Sequence, residues 1–169
     1  MIWCMDRRWE ALAHDLEGSF TARVRGLVSP EIVLLSARGE PFGYLRAADA
    51  GETRLRAGDL SATFAPSADA GHTLKIDGGE ILDAKPAGSA TALDLRSGNR
   101  TYRADISLLR NSATAGSSGG PDTARISGGL TNRRYRVTFD PGDAAALPIA
   151  VFLLDRLLTL RRGAFRTRS

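Results

Sequence analysis

"AAALPIAVFLLDRLLTLRRG", residues Ala144–Gly163, is the longest apolar stretch of the 169-residue chain and lies close to its C-terminal end. As a helix, residues 144–160 would be about 25 Å long, close to the roughly 30 Å thickness of the hydrocarbon core of a bilayer. The segment therefore has two possible environments, a membrane or the core of a protein that surrounds it. The choice between them decides the fold.

The free energy of membrane insertion argues against a transmembrane span. The strongly apolar residues of 144–160 supply about −3 to −5 kcal/mol in total, whereas Asp155 and Arg156 each cost up to roughly +3 kcal/mol near the bilayer centre. A helix that is apolar on nearly every face is typical of the middle of a fold. We therefore expect residues 144–160 to form a core helix, with Asp143 as its N-cap and Pro148 in its first turn.

The two charges within this predicted helix need partners. An unpaired charge in a protein core is very costly. We expect Asp155 and Arg156 to lie towards the exit of the core, where each is hydrogen-bonded or paired.

Residues 19–139 have the period of two that indicates β-strands. "FTARVR" (20–25) and "TYRADIS" (101–107) alternate apolar and polar residues, and Gly- or Pro-containing segments separate such runs. The segment Asn111–Thr123, "NSATAGSSGGPDT", is small and polar, and is expected to be a loop. Because no helical pattern interrupts the series, antiparallel connections are expected throughout.

The predicted architecture is a single all-β domain over residues 1–169 with one central helix. A closed antiparallel barrel of about 10–12 strands (about 19–139) is expected to surround the apolar C-terminal helix (144–160). A short amphipathic helix over about residues 6–16 precedes the barrel, and a basic tail (161–169) follows it.

Composition excludes several classes of site. A single cysteine, Cys4, excludes an intrachain disulfide framework, and only His14 and His72 are available as imidazole ligands, so no metal and no cofactor are predicted. Only "MIWCM" precedes the charged "DRR", which is too short for a signal peptide. A cytoplasmic location is therefore expected, with membrane association possible.

The net charge of +4 does not predict nucleic-acid binding. Residues 1–160 carry 19 basic and 19 acidic groups, so the folded body is expected to be neutral, whereas a phosphate-tracking groove requires a basic body. The excess comes from Arg161, Arg162, Arg166 and Arg168 in the predicted tail. Such a tail is able to tether a protein electrostatically to anionic lipid.

Pairs of arginines also alternate with apolar residues in the predicted strands. Arg134 and Arg136 point outward from the last strand, opposite in direction to Tyr135 and Val137. Two further pairs repeat this spacing, Arg23 with Arg25 and Arg54 with Arg56. Three nearby acidic residues are expected to reduce the positive potential of these pairs: Asp105, Asp59 and Glu52.

No catalytic constellation is apparent in the sequence. The chain has no G-x-S-x-G elbow, and its two histidines are expected to be structural or solvated. Asp77 and Glu80 flank "DGGE", which indicates a hairpin turn rather than an acid–base pair. We therefore predict that the protein is not an enzyme.

The segment "VTFDPGDAAALPIAVFLLDRLLTL" (137–160), after a series of short strands, resembles the tubby C-terminal-like superfamily, which includes tubby proteins, phospholipid scramblases and LURP-one-related proteins. The resemblance covers residues 19–160, is closest to the LURP-one-related form, and implies a twelve-stranded antiparallel barrel around a central C-terminal helix. Tubby proteins bind phosphoinositide headgroups through basic side chains on the barrel surface.

Asp140 and Asp143 are similar in position to a proposed calcium-binding segment of scramblases. Two carboxylates are too few for calcium, and helix capping explains them better.

The functional prediction is a non-catalytic binding module, with anionic phospholipid at the membrane surface as its ligand class. One alternative is a tail-anchored membrane protein with residues 144–160 inserted. Another is a small enzyme or apolar-ligand carrier, which would have an internal pocket beside the helix. The candidate lipid-binding residues are Arg134, Arg136, Arg161, Arg162, Arg166 and Arg168.

Overall fold

The computed structural model describes residues 6–26 and 29–166. Within these residues the chain forms one short helix, twelve strands and one long helix. The elements are α1 (Arg7–Leu16), β1 (Ser19–Arg25), β2 (Glu31–Leu35), β3 (Pro41–Ala47), β4 (Thr53–Ala57), β5 (Leu60–Pro66), β6 (His72–Ile76), β7 (Gly79–Ser89), β8 (Ala92–Ser97), β9 (Arg100–Ser107), β10 (Ser112–Gly116), β11 (Asp122–Gly128), β12 (Arg134–Phe139) and α2 (Ala146–Arg166).

The strands form a closed antiparallel barrel in which each strand pairs with its neighbours in sequence and β1 closes on β12. Alternation in the sequence becomes alternation between the inside and the outside of the barrel. In β9, for example, Tyr102, Ala104 and Ile106 are buried, as their period of two predicted. The predicted closed barrel, with its C-terminal helix and short N-terminal helix, is confirmed.

Helix α2 fills the barrel. Every residue from Ala146 to Leu154 is buried, and each of them other than Pro148 has at most 1% of its surface exposed. The ring of Phe152 packs against the ring of Phe64 of β5, with 6.1 Å between the two centroids. The core placement of this segment is therefore confirmed. Among the residues that the structure describes, no helix combines the length and the apolarity needed to span a bilayer.

Helix α2 begins at Ala146, two residues later than predicted, and Asp143 caps the turn that leads into it. The Asp143 carboxylate accepts a hydrogen bond from the Ala145 amide at 2.9 Å, and the Asp143 carbonyl accepts one from the Ala146 amide at 3.0 Å. Pro148 is the third residue of the helix. A backbone N–H at this position would have no intrahelical acceptor, so proline costs the helix no hydrogen bond there.

The loop predicted at Asn111–Thr123 is wrong in part, because its first half is strand β10. Ala113 and Ala115 point inward and are each 1% exposed. Helix α2 packs against β10, β11 and β12, and small inward side chains on these strands leave room for it. Small residues here therefore reflect close packing on a helix rather than the absence of a strand.

Helix α2 also ends at Arg166, six residues beyond the predicted end at Leu160. The predicted basic tail therefore begins as helix. Arg161 donates to the side-chain oxygen of Asn132 at 2.7 Å and to the Leu108 carbonyl. These contacts attach the last turns of the helix to loops at one end of the barrel.

Asp155 and Arg156 differ from their predicted placement. Asp155 lies in the middle of α2 with 7% of its surface exposed, and Thr53 donates a hydrogen bond to it at 2.9 Å. Asp155 is thus hydrogen-bonded, as predicted, but within the core rather than at its exit. Arg156 is half-buried and has neither an ion pair nor a hydrogen bond with any described residue, contrary to prediction.

Candidate anion-binding face of the barrel

Closure of the barrel brings β12, β1, β2, β3 and β4 side by side, although β12 and β1 are more than one hundred residues apart in sequence. Arg134 and Arg136 alternate with buried Tyr135 and Val137 on β12, so both arginines face solvent, as predicted. Their cross-strand partners on β1 are Arg23, opposite Arg134, and Thr21, opposite Arg136.

Arg23, Arg134 and Arg136 line one groove of about 460 Å³ on the outside of the barrel. The hydroxyl-bearing residues Thr21 and Ser127 lie in the same lining, which contains no carboxylate. None of the three arginines forms an ion pair within the part of the chain that the structure describes. Like charges directly opposite on neighbouring strands are destabilising, so the pair Arg23 and Arg134 favours a bound anion.

The positive surface continues beyond this groove across β1, β3 and β4. Arg46 on β3 lies opposite Arg54 on β4, and Glu31 of β2 lies between Arg25 and Arg46 in the cross-strand register. We call these outward-facing side chains together the arginine face: Arg23, Arg25, Arg46, Arg54, Arg56, Arg134 and Arg136.

An acidic and an aromatic residue complete this face. Glu31 accepts from Arg46 at 2.9 Å, and it is the acidic residue at the outward positions of these five described strands. Glu40, Asp49, Glu52 and Asp59 lie in the segments that flank these strands. Tyr44 is 41% exposed, and the outward-facing Val33 between Arg23 and Tyr44 is only 1% exposed. The face thus combines many guanidinium groups with one exposed ring.

The opposite side of the barrel has a different charge pattern. Its outward arginines on β8 and β9 bind carboxylates, Arg96 to Asp83 at 3.6 Å and Arg103 to Asp94 at 3.0 Å, and Arg125 of β11, the strand next to β12, is likewise paired, with Asp122 at 2.6 Å. Asp105 lies on β9 on this opposite side, so the expectation that it reduces the field of the arginine pairs is wrong, whereas Glu52 and Asp59 lie at the two ends of β4, close in sequence to Arg54 and Arg56. The positive charge of the described barrel surface is therefore concentrated on one side.

Of the predicted tail arginines, Arg161 and Arg162 are not part of this face. Arg161 is half-buried and holds the barrel end through Asn132 and Leu108, and Arg162 is also half-buried on α2. Arg168 and the side chain of Arg166 lie outside the described residues. The structure therefore separates Arg134 and Arg136 from Arg161 and Arg162, which the sequence analysis had grouped.

The acidic turn before α2 has a structural role. Tyr102 donates to both oxygens of the Asp143 carboxylate, at 3.1 and 2.9 Å, and Asp140 accepts from the Gly142 amide at 2.9 Å. Burial raises the pKa of Tyr102, and its hydrogen bond to Asp143 raises it further. No group of three or more potential metal-ligating side chains occurs within residues 6–26 and 29–166. Helix capping therefore accounts for Asp143.

The other candidates are dispersed. His14 is exposed on α1, and His72 is half-buried at the start of β6, with its ring centroid 6.3 Å from that of Phe152. Asp77 lies in the predicted β6–β7 turn and accepts from Arg8 at 2.7 Å rather than pairing with Glu80. Cys4 lies outside the described residues.

The sequence pattern identified six of the seven arginines of the arginine face, the four on β1 and β4 and the two on β12, but could not place β1 and β4 beside β12. It missed Arg46 and Tyr44, which follow a glycine in a strand with less regular alternation. The signal that could have found them is the register of the β2–β3 hairpin, which aligns Arg46 with Glu31.

Comparison with known proteins supplies a fold and no function. No family model matches the chain, and no curated protein matches it. Among solved structures, an X-ray structure of a protein from Arabidopsis thaliana (AT5G01750) is similar with a TM-score of 0.56 and 15% sequence identity, covering 82% of this chain and 90% of that one. At this identity the similarity shows that the two chains share a fold.

Proposed function

We propose that this chain is a non-catalytic, peripheral membrane-binding module that recognises anionic phospholipid headgroups with the arginine face. The observation that carries the proposal is the groove in which Arg23, Arg134 and Arg136 converge with no carboxylate in the lining. A guanidinium group binds phosphate oxygens in bidentate geometry, so three of them around one groove are suited to a phosphorylated headgroup.

The extent of the face supports a membrane surface as the site of binding. Basic residues near an anionic bilayer contribute about 1 kcal/mol each, and the arginine face spans five adjacent strands. Tyr44 is exposed within it, and tyrosine rings favour the membrane–water interface. We therefore infer a cytoplasmic protein that associates reversibly with anionic membranes.

We also propose that the chain belongs to the tubby C-terminal-like superfamily. The twelve-stranded closed barrel around a C-terminal helix agrees with the layout that the resemblance of residues 19–160 implies. The site proposed here rests on the arginines of this chain and not on the binding residues of that family.

The test is co-sedimentation of the purified protein with phosphatidylcholine vesicles, with and without phosphatidylserine or a phosphoinositide, at low and physiological salt. We expect binding only with anionic lipid, and weaker binding at higher salt. Replacing Arg23, Arg134 and Arg136 together by Gln removes about 3 kcal/mol, which is a loss of roughly 150-fold in membrane partitioning.

A matched control replaces Lys85, Arg96 and Arg103 by Gln, which changes the net charge equally on β7, β8 and β9, on the opposite side of the barrel. We expect it to bind nearly as the wild type does. Equal losses in the two triple variants, or no binding of the wild type to any anionic vesicle, would refute the proposal.

The contribution of the C-terminal end is measured separately by replacing Arg166 and Arg168 with Gln. Deletion from residue 161 onward is unsuitable, because it removes the contacts of Arg161 with Asn132 and Leu108. If this double variant loses binding while the Arg23, Arg134 and Arg136 variant keeps it, the arginine face is not the lipid-binding site.

A further inference from the structure

Arg156 differs from the other half-buried arginines of the described chain. Arg8 pairs with Asp6 and Asp77 at 2.6 and 2.7 Å, and Arg161 donates to Asn132 and Leu108. Arg156 has no ion pair and no hydrogen bond with any residue in the described ranges. A half-buried guanidinium has lost part of its hydration, so an anion that binds it restores the lost interactions.

The side chain of Arg156 lines a cavity of about 590 Å³ at one end of the barrel. The cavity lies between the β5–β6 connection and the β7–β8 hairpin. Pro66, Pro86 and Leu93 give it apolar walls, and His72 contributes a ring at its edge. Its volume falls within the range of small-molecule sites, which are mostly apolar with a few polar groups that orient the ligand.

The cavity contains one positive charge at neutral pH and no negative charge. No carboxylate occurs in its lining; the neighbouring Asp155 acts on Arg156 through its charge, but its carboxyl group lies outside the lining and accepts a hydrogen bond from Thr53. Burial and, to a smaller extent, the charge of Arg156 together lower the pKa of His72 to about 4, so the imidazole is neutral at pH 7. The ring is then able to exchange a hydrogen bond with a ligand without adding charge.

We propose that this cavity binds a small organic monocarboxylate with an apolar body. The guanidinium of Arg156 takes the carboxylate in a two-point contact, and the apolar part lies against Pro66, Pro86 and Leu93. A monoanion balances the single charge of Arg156. A phosphate dianion would leave an excess negative charge next to apolar walls, which is unfavourable.

The test is a titration of the full chain, labelled with nitrogen-15, at pH 7 with octanoate, with octanol as the uncharged analogue of the same length, and with inorganic phosphate. We expect octanoate to shift the amide signals of residues 66–72 and 86–93 and to bind about tenfold or more tightly than octanol or phosphate. Preferential binding of phosphate, equal binding of octanol, or shifts confined to other parts of the barrel would overturn the proposal.

Two variants test the site itself. Arg156→Gln removes the charge, and Ala90→Trp fills the cavity from an exposed position in its lining while leaving Arg156 in place. Each is expected to weaken octanoate binding by about tenfold or more, whereas Arg38→Gln, at an exposed turn elsewhere, leaves it unchanged. Wild-type affinity in Ala90→Trp would refute the site even if Arg156→Gln failed to fold.

Discussion

Replacing Asp155 by Asn changes the pH dependence of stability in a direction that the structure dictates. Asp155 lies in the centre of α2 with 7% of its surface exposed, and its carboxyl group accepts a hydrogen bond from Thr53. Burial raises the pKa of Asp155 above its ordinary value of 3.8, although Thr53, Arg156 and Arg162 each lower it in part. The folded protein therefore holds a proton at pH values where the unfolded chain has released it.

The sign of the effect follows from proton linkage. Where the folded state binds more protons than the unfolded state, the free energy of unfolding falls as the pH rises. For Asp155 this fall begins near pH 4 and ends at the folded-state pKa, with a slope of up to about 1.4 kcal/mol per pH unit. Asp155→Asn does not titrate, so its stability relative to the wild type should increase over that window and then remain constant.

Urea unfolding of both proteins at a series of pH values measures this difference directly. Other titrating groups, His72 among them, are present in both proteins and cancel in the comparison. Thr53→Val removes the hydrogen bond to the carboxylate, so it should raise the pKa of Asp155 and extend the window to higher pH. A difference that is flat with pH would show that folding leaves the pKa of Asp155 unchanged, and one that grows towards acid would show that folding lowers it; either result would refute the raised pKa.

Three further changes test the packing of the barrel. Leu154→Ala, at a position with no exposed surface in α2, should lower the free energy of unfolding by about 2–5 kcal/mol in urea titration, and a loss below 1 kcal/mol would argue against a filled core. Gly128→Ala places a Cβ within 2.5 Å of Tyr135 Cε1 and against Asn111, so thermal unfolding should report a loss of about 1–3 kcal/mol; an unchanged Tm would contradict this packing. The pKa of His72 is lowered to about 4, so the wild type should lose stability relative to His72→Asn as the pH falls from 6.5 to 4, by less than about 1.4 kcal/mol per pH unit because solvent screens a half-buried ring. His72→Asn should lack this loss, and equal acid sensitivity in both proteins would exclude His72 as its source.

The sequence by itself determined the elements whose patterns are local. The period of two in β9 and β12 predicted which residues point inward, because successive side chains of a strand lie on opposite faces. The nearly uniform apolarity of residues 144–160, together with the cost of inserting Asp155 and Arg156 into a bilayer, predicted a helix inside the barrel. The capping role of Asp143 was likewise predictable, because it depends on residues next to it in the chain.

Tertiary structure decided what depends on contacts between distant residues. Strand β10 was not recognised, because its alanines are explained only by the helix that packs against them. Arg161 was predicted as part of a tail, but its role follows from Asn132 and Leu108, which the chain reaches only after folding. The arginine face exists because closure pairs β1 with β12 and so brings Arg23 opposite Arg134, whereas the arginines of β8, β9 and β11 meet carboxylates. Side-chain direction is encoded by neighbours in sequence, but the charge of a surface depends on which strands the closed barrel makes adjacent.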